Sequence, residues 1–203
     1  MVIEAGVSLR EVKIALDFNV KKIVGVLVSH IHNDHAKYVS EYRKAGINVF
    51  QLFDTEDSNQ LRTFGNFIIK AFPLVHDVPC HGFYIFHDEI GKLIYASDTE
   101  YIKYRFKNLN HILVEANYSD DLIDNEANNR EHVLRGHMSL KTATDFISTN
   151  DNPTLLNVVL IHLSDKNTDS AQFQQKIKET IKYGANVYVA EKGLEVDLNL
   201  CPF

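Results

Sequence analysis

A short histidine-rich segment carries the residues of this chain that are best suited to chemistry. It runs from Ser29 to His35 and reads Ser-His-Ile-His-Asn-Asp-His. The β-branched run just before it, Ile23 to Val28, predicts a buried strand. Because side chains two apart in an extended chain point the same way, His30 and His32 can bind one metal ion together.

The second half of this segment supplies further ligands. Asp34 and His35 come where the next helix is predicted to begin, and the turn there can direct both toward a second ion. Imidazole and carboxylate suit zinc, and also manganese or iron. Two neighbouring ions can hold a bridging hydroxide and clamp an electrophile. A histidine-rich surface loop is the alternative, but four specified positions in so short a window favour a metal site.

The composition of the chain limits the number of domains and the kinds of partner that we expect. The chain has 203 residues, of which 45% are hydrophobic, and no repeat or Pro/Gly-rich linker interrupts it. We therefore expect a single domain over residues 1–203. The formal net charge is -6, which repels phosphodiester backbones at long range. A broad, non-specific nucleic-acid surface is not predicted.

The cysteines and the N-terminal residues bear on the compartment. Cys80 and Cys201 are far apart and form no disulfide framework, so a reducing, cytoplasmic compartment is the simpler interpretation. Residues Met1 to Phe18 lack the basic start and continuous apolar run of a signal peptide. No stretch is long and apolar enough to span a membrane, so no membrane partner is expected.

Strands and helices are predicted to alternate, which indicates an α/β layered architecture. The predicted strands are Val2-Ile3, Ile23 to Val28, Asn48 to Gln51, Phe67 to Phe72, Gly82 to Phe86, Leu93 to Ala96, Ile112 to Glu115, Val158 to Ile161 and Val187 to Ala190. The predicted helices are those from a Ser8/Glu11 capping box to about Phe18, Ala36 to Ala45, Leu122 to Arg135, Ser139 to about Ile147, and Ser170 to Tyr183. Thr99 to Leu109 is interpreted as a short helix or an irregular segment, and Asp88 to Gly91 as a hairpin turn.

The HxHxDH segment resembles the signature of the metallo-β-lactamase superfamily. That resemblance implies an αββα sandwich and a metal-dependent hydrolase. The other motifs of the superfamily can be matched in order along nearly the whole chain. The matching positions are Glu4 in Val2-Ile3-Glu4-Ala5-Gly6, where an Asp is usual, His76 after Pro73-Leu74-Val75, Asp98 in Ser97-Asp98-Thr99, and His162 after Val158 to Ile161.

The resemblance implies a division of these residues between two metal ions, zinc above all. It assigns His30, His32 and His76 to the first ion, Asp34, His35 and His162 to the second, and Asp98 to a bridge between them. Asp34 is also implied to hold the attacking hydroxide and to take its proton. Glu4 is implied to orient a metal-bound histidine.

Other interpretations of these positions stay open. His81 competes with His76 as the third ligand of the first ion. Asp98 is alternatively a turn residue or a helix cap, and His162 a satisfied core histidine. Cys80 is interpreted as a buried neutral thiol, although some members of the superfamily use a cysteine ligand.

Two further motifs concern the reaction. The segment Ile112 to Asn117 resembles the His-Glu-Ala-Thr motif of the tRNA 3′-processing phosphodiesterases, and Gly136 to Leu140 resembles their Gly-His-Ser-Thr motif. The implied role of His137 is to protonate the leaving alkoxide, with Glu115 fixing its tautomer. Alternatively the two residues are unrelated. Arg130 and Arg135 could hold a phosphate or belong, like His132, to a solvated helix face.

More closely, the sequence resembles the bacterial YycJ/WalJ-type subfamily, described as DNA exonucleases. The similar elements Gly136-His137-Met138-Ser139 and Ile161-His162-Leu163-Ser164 are the most specific link. An N-terminal strand or strands usual in that subfamily have no match here. This predicts an exposed edge in the first sheet, which another segment or a second copy of the chain could cover.

Three functions follow as hypotheses. The favoured one is a metal-dependent phosphodiesterase that uses a two-metal-bound hydroxide, with DNA exonuclease action foremost and a nucleic acid or a small phosphodiester as substrate. The second is a hydrolase of carboxylic esters, lactones or thioesters, which needs no His137. The third is a non-catalytic phage or bacterial accessory protein.

Overall fold

The computed structural model describes residues 1–54, 61–119, 121–122, 135–164 and 168–201, and these residues form two β-sheets. The first sheet has three parallel strands in the order β1 (Val2–Ile3), β2 (Val26–Val28) and β3 (Val49–Gln51). The second sheet has the order β10-β9-β8-β7-β6-β5-β4. Its strands are β4 (Leu61–Phe64), β5 (Phe67–Leu74), β6 (Cys80–His87), β7 (Gly91–Ala96), β8 (His111–Glu115), β9 (Asn157–Ile161) and β10 (Asn186–Val189).

Short helices follow the strands of the first sheet, and longer ones follow those of the second. They are α1 (Leu9–Ala15), a 3₁₀ turn (Val20–Lys22), α2 (Asn33–Ala36), α3 (Val39–Lys44), α4 (Leu140–Asn150) and α5 (Ser170–Thr180). Ser8 and Glu11 form the predicted capping box of α1, and Ser139 Oγ accepts a hydrogen bond from Thr142 N at the start of α4. Among the described residues, no helix has both the length and the apolar character needed to cross a membrane.

Successive residues of a strand face opposite sides of its sheet and therefore pack into different layers. In β2, Leu27 packs with Phe83 and Ile85 of the second sheet, whereas Val26 and Val28 pack toward the helices of the first sheet. On the far face of the second sheet, residues of β8 and β9 pack against α4 and α5. The order of layers is therefore helix, sheet, sheet, helix, as the resemblance implied.

The structure corrects some of the predicted elements. The predicted helix Ala36 to Ala45 is two helices, α2 and α3, because Tyr38 N donates a hydrogen bond to Ala5 O at 2.9 Å instead of continuing the helical ladder. Strand β4 was not predicted. Residues 101–106 contain no helix, which leaves the irregular alternative for that segment. Most of the predicted helix Leu122 to Arg135 lies outside the described residues.

Gly6 is the point where the loop after β1 meets the histidine segment. A Cβ atom at Gly6 would lie 1.5 Å from the carbonyl oxygen of Asp34, so no other residue fits without displacing α2. Next to it, Ala5 N donates a hydrogen bond to His35 O at 2.7 Å. The glycine therefore sets the distance between β1 and the ligands on α2.

We predict that Gly6→Ala displaces α2 and lowers both stability and metal content. Overpacking of this kind costs about 1–3 kcal/mol, and each kcal/mol lowers the Tm of a chain of this size by about 2–4 °C. Gly46→Ala is the control, because a Cβ atom there would meet no atom within 4 Å, and only the positive φ of Gly46 (77°) would strain the backbone. The control should lose some stability and keep its metal, as measured by thermal unfolding and elemental analysis. Equal metal content in the two variants would contradict the prediction.

Candidate metal centre

The site lies where the carboxyl ends of strands from both sheets meet. Strands β5 and β7 run in the same direction, because each pairs antiparallel with β6, and β8 and β9 continue parallel to β7. Their carboxyl ends therefore share one edge, the usual place of a binding site in such sheets. The residues delivered to that edge are Glu4 after β1, the His30–His35 segment after β2, His76 after β5, Asp98 after β7, Glu115 at the end of β8 and His162 after β9.

Three imidazoles converge in a first group formed by His30, His32 and His76. His32 Nδ1 lies 3.1 Å from His30 Nε2 and 3.3 Å from His76 Nε2. Nitrogens that bind one tetrahedral zinc ion at about 2.0–2.1 Å are roughly 3.3 Å apart, so this spacing fits such an ion. The other ring nitrogen of His30 and of His76 has a hydrogen-bond partner. Ser29 Oγ lies 2.9 Å from His30 Nδ1, and the Gly136 carbonyl oxygen lies 3.0 Å from His76 Nδ1.

A second group contains Asp34, His35 and His162. His35 Nε2 lies 3.4 Å from Asp34 Oδ2, and His35 Nδ1 lies 3.3 Å from Glu4 Oε1. The other oxygen of Glu4 accepts a hydrogen bond from Ser29 N at 3.2 Å. Glu4 therefore contacts the ring nitrogen of His35 that faces away from Asp34 and Asp98, and its role in orienting a metal-bound histidine stays a prediction.

Asp98 lies between the two groups. Its Oδ2 is 2.9 Å from His35 Nε2, and its Oδ1 is 3.3 Å from His162 Nδ1. His30, His35 and Asp98 also form a ligand group of their own. This is the location that a bridging ligand needs, and the bridging role itself stays a prediction.

The electrostatics of the buried groups are strongly coupled. Burial disfavours the charged form of His35, but hydrogen bonds and attraction from Asp98 and Glu4 outweigh it and raise its pKa to about 10. Burial likewise opposes ionisation of Asp98, yet the hydrogen bond from His35 and the nearby imidazoles hold its pKa well below the usual range. Burial lowers the pKa of His30 to about 3, which leaves its imidazole neutral, the form that binds metals.

Glu115 and His137 lie together beside these groups. Glu115 is fully buried, and its Oε1 lies 2.7 Å from His137 Nδ1. Its Oε2 accepts a hydrogen bond from Thr99 N at 3.0 Å, which fixes the carboxylate plane. Oε1 is also 3.0 Å from His162 Nδ1, a contact that the sequence analysis did not predict.

The structure also distinguishes among the alternatives left open by the sequence. Within the described residues His81 belongs to none of the ligand groups, whereas His76 does. Cys80 is buried and burial raises its pKa, which agrees with a neutral thiol; its Sγ lies 3.8 Å from His30 Nδ1, the nitrogen that faces away from His32. Arg130 and His132 lie outside the described residues, and Arg135 is exposed.

Asp77 is a site residue that the sequence analysis missed. Its Oδ1 lies 3.0 Å from His76 Nε2 and 3.5 Å from His32 Nε2, and its side chain is half-exposed at the rim. In the sequence, the only indication that Asp77 belongs to the site is its position directly after His76.

We predict that His76→Ala removes one metal ion, because it takes away one of three converging nitrogens. His81→Ala is the matched control: it should destabilise the core, since His81 is fully buried, and keep the metal stoichiometry. Elemental analysis and thermal unfolding separate the two effects. Loss of metal only in His81→Ala would reverse the assignment.

The two thiols should differ in reactivity. Cys201 is exposed and Cys80 is buried, so a thiol reagent should modify one cysteine quickly in the native protein and the second only on unfolding. Cys201→Ser should abolish the fast phase, and Cys80→Ser should leave it intact. A fast phase of two thiols in the native wild-type protein would contradict the burial of Cys80.

Known proteins similar to this chain agree on the fold. No family model matches the sequence. Exodeoxyribonuclease YycJ of Bacillus anthracis is 24% identical over 149 residues, which cover 61% of this chain and 56% of that protein. The match thus spans little more than half of the relative.

Two solved structures resemble nearly the whole chain. The metallo-β-lactamase fold protein YhfI of Bacillus subtilis has a TM-score of 0.68 at 17% identity, covering 95% of this chain and 84% of its own. The short form of human tRNase Z has a TM-score of 0.59 at 15% identity, covering 98% and 88%. The layer order and these likenesses show that the chain has the metallo-β-lactamase fold, and its sequence is similar to that of a YycJ-type exodeoxyribonuclease.

Proposed function

We propose that this protein is a metal-dependent phosphodiesterase that acts on DNA as an exonuclease. The observation that carries the proposal is the 2.7 Å contact between Glu115 Oε1 and His137 Nδ1, which lie beside the two groups of candidate metal ligands described above. Both residues also form a group of possible ligand atoms with Asp98 and His162. Cleavage of a nucleic-acid backbone expels an alkoxide, which needs a proton in the transition state. Thioester hydrolysis expels a thiolate and needs no such group.

The donor atoms fit two divalent cations. The first group offers three imidazole nitrogens, and the second offers imidazole and carboxylate, a mixture that suits zinc, manganese or iron. Bound ions would polarise the phosphodiester and lower the pKa of water. The remaining steps depend on the side chains of the chain itself.

His137 is oriented as a proton donor. Because a carboxylate only accepts hydrogen bonds, the contact with Glu115 places a proton on Nδ1 of His137 and leaves Nε2 as the nitrogen that exchanges a proton with substrate. Thr99 N holds Glu115 in place from the other side. The side chain of Asp34 is 64% exposed, so it can reach solvent and accept a proton from the attacking water.

The similar proteins support this class of reaction. One relative is named an exodeoxyribonuclease, and a tRNase Z has a similar structure. The former likeness covers little more than half of the relative, and the latter concerns the fold alone. The step to DNA therefore belongs to our proposal.

We predict that His137→Ala lowers kcat on a DNA oligonucleotide by about 10²- to 10⁴-fold, the usual contribution of a general acid. The same variant should hydrolyse bis(p-nitrophenyl) phosphate almost as fast as wild type, because p-nitrophenolate leaves without a proton. Glu115→Gln should show a similar dependence on the leaving group, with a further loss on both substrates because Glu115 Oε1 also contacts the candidate ligand His162.

His87→Ala is the control for histidine loss, since His87 lies at the far end of β6 and stacks on Phe67. Wild-type activity of His137→Ala on DNA would remove the proposed acid. Turnover of carboxylic esters by the metal-loaded protein, with every phosphodiester inert, would select the ester hydrolase instead.

A further inference from the structure

The segment after the metal-ligand candidate Asp98 alternates basic and apolar residues. Residues 101–107 read Tyr-Ile-Lys-Tyr-Arg-Phe-Lys. Lys103, Arg105 and Lys107 are exposed, whereas Tyr104 and Phe106 are half-buried between them. We call the three cations the basic strip.

The basic strip is a local departure from the charge of the whole chain. The chain carries -6, yet residues 101–107 hold three cations and no acid. Among the described residues, none of the three forms a salt bridge with a carboxylate. The acids beside the segment are Glu100, which precedes it, and Asp145 on α4, which lines the groove on one side. Three neighbouring cations that pair with no carboxylate in the described part of the chain attract an extended polyanion.

Aromatic rings line the opposite side of the same segment. Tyr104 and Phe106 border a cavity of about 270 Å³ with Phe72, Pro73, Tyr84 and Lys70. The rings of Tyr84 and Phe106 are nearly parallel, with an interplanar angle of 18° and centroids 6.4 Å apart. Phe106 is held in place by a 2.7 Å hydrogen bond from its N–H to Asn150 Oδ1. A flat, apolar ligand that stacks on aromatic faces suits this pocket.

The topology connects both features to the metal centre. The segment leaves the site edge at Asp98 and ends at His111, the start of β8, so it runs from the site edge of the sheet to the opposite edge. Pro73 in the pocket wall precedes His76 by three residues, about 10 Å along an extended chain. A polymer lying in the centre can therefore continue onto the strip.

We propose that the basic strip and the aromatic pocket bind one strand of nucleic acid as it leaves the metal centre. Lys103, Arg105 and Lys107 contact successive phosphates, and the pocket takes a base against Tyr104 and Phe106. Single strands are bound by this combination of a cationic track with stacking platforms. The inference deepens the proposed function and rests on it for the bond that is cleaved.

The first test measures binding of a fluorescent phosphorothioate oligothymidylate of about 12 nucleotides to the metal-loaded protein at several salt concentrations. The triple variant Lys103→Gln, Arg105→Gln, Lys107→Gln should reduce the slope of log K against log salt by about 2, at about 0.7 per phosphate contact. At about 0.1 M salt this corresponds to weaker binding on the order of 100-fold. Thermal unfolding confirms that the variant is folded.

A matched triple variant changes the same charge elsewhere. Lys21, Lys22 and Lys44 are exposed and lie shortly before the starts of β2 and β3 in the first sheet, whereas residues 101–107 pack on the outer face of the second sheet. Their replacement by Gln should leave the salt slope nearly unchanged. An equal loss in both triple variants would overturn the inference, because it would reduce the effect to net charge.

The second test addresses the pocket. Tyr104→Leu should weaken binding of the single strand about 5- to 100-fold through lost stacking, and Tyr104→Phe should retain it. A duplex of the same length should bind less well than the single strand. Unchanged binding in Tyr104→Leu, or equal affinity for the duplex, would overturn the assignment of the pocket to a base.

Hydrolysis of bis(p-nitrophenyl) phosphate separates this inference from the proposed function, since that substrate is too small to reach the strip. All strip and pocket variants should hydrolyse it at the wild-type rate. If phosphodiesters are cleaved and strip variants bind the oligonucleotide normally, the inference fails alone. If no phosphodiester is cleaved while strip-dependent binding persists, the proposed function fails alone.

Discussion

The buried carboxylate of Asp98 is the group on which the centre depends. It is 3% exposed, and an ionised carboxylate in such a place is costly unless it is paired and hydrogen-bonded. Its partners come from both halves of the molecule: His35 follows a strand of the first sheet, whereas His162 and Ser97 follow strands of the second. Pairing Asp98 therefore requires the two sheets to be packed in one register. The apolar layer between the sheets supplies the stability, and the carboxylate fixes where the ligand-bearing ends must meet.

The backbone at three of these strand ends is held in an unfavourable conformation. Glu4, Asp98 and His162 have φ values of 68°, 56° and 55°, in the left-handed region that residues other than glycine rarely occupy, although Asp and His are found there more often than most. The cost is roughly 1–2 kcal/mol for Glu4 and smaller for Asp98, whose short polar side chain tolerates this conformation. At all three positions the chain leaves a strand and turns, and the side chain meets the ligand cluster there instead of following the pleat. The strain is concentrated at the centre, where the surrounding sheets can sustain it.

The sequence predicted the features that depend on neighbouring residues and missed those that depend on contacts between distant residues. The spacing of His30, His32, Asp34 and His35 was informative because one strand and one turn position all four. The contact between Glu115 and His162 was not foreseen, since it joins residues 47 apart and arises only from the pairing of β8 with β9. Helix 36–45 was predicted as one element because its break is made by the Ala5 carbonyl, which captures the N–H of Tyr38. Strand β4 has an exposed, non-alternating pattern and exists through its pairing with β5.

The net charge of the whole chain likewise says little about where a charged ligand binds. The value of -6 predicts no broad nucleic-acid surface, but it counts every carboxylate equally wherever it lies. Glu4, Asp34, Asp98 and Glu115 point into the centre, where imidazolium groups or bound cations offset them. Exposed charges further apart than about 8–10 Å are largely screened at physiological salt, so a ligand responds to its nearest charges. For a chain with several acids gathered at its candidate metal centre, the local sequence 101–107 is therefore a better guide to anion binding than the total charge.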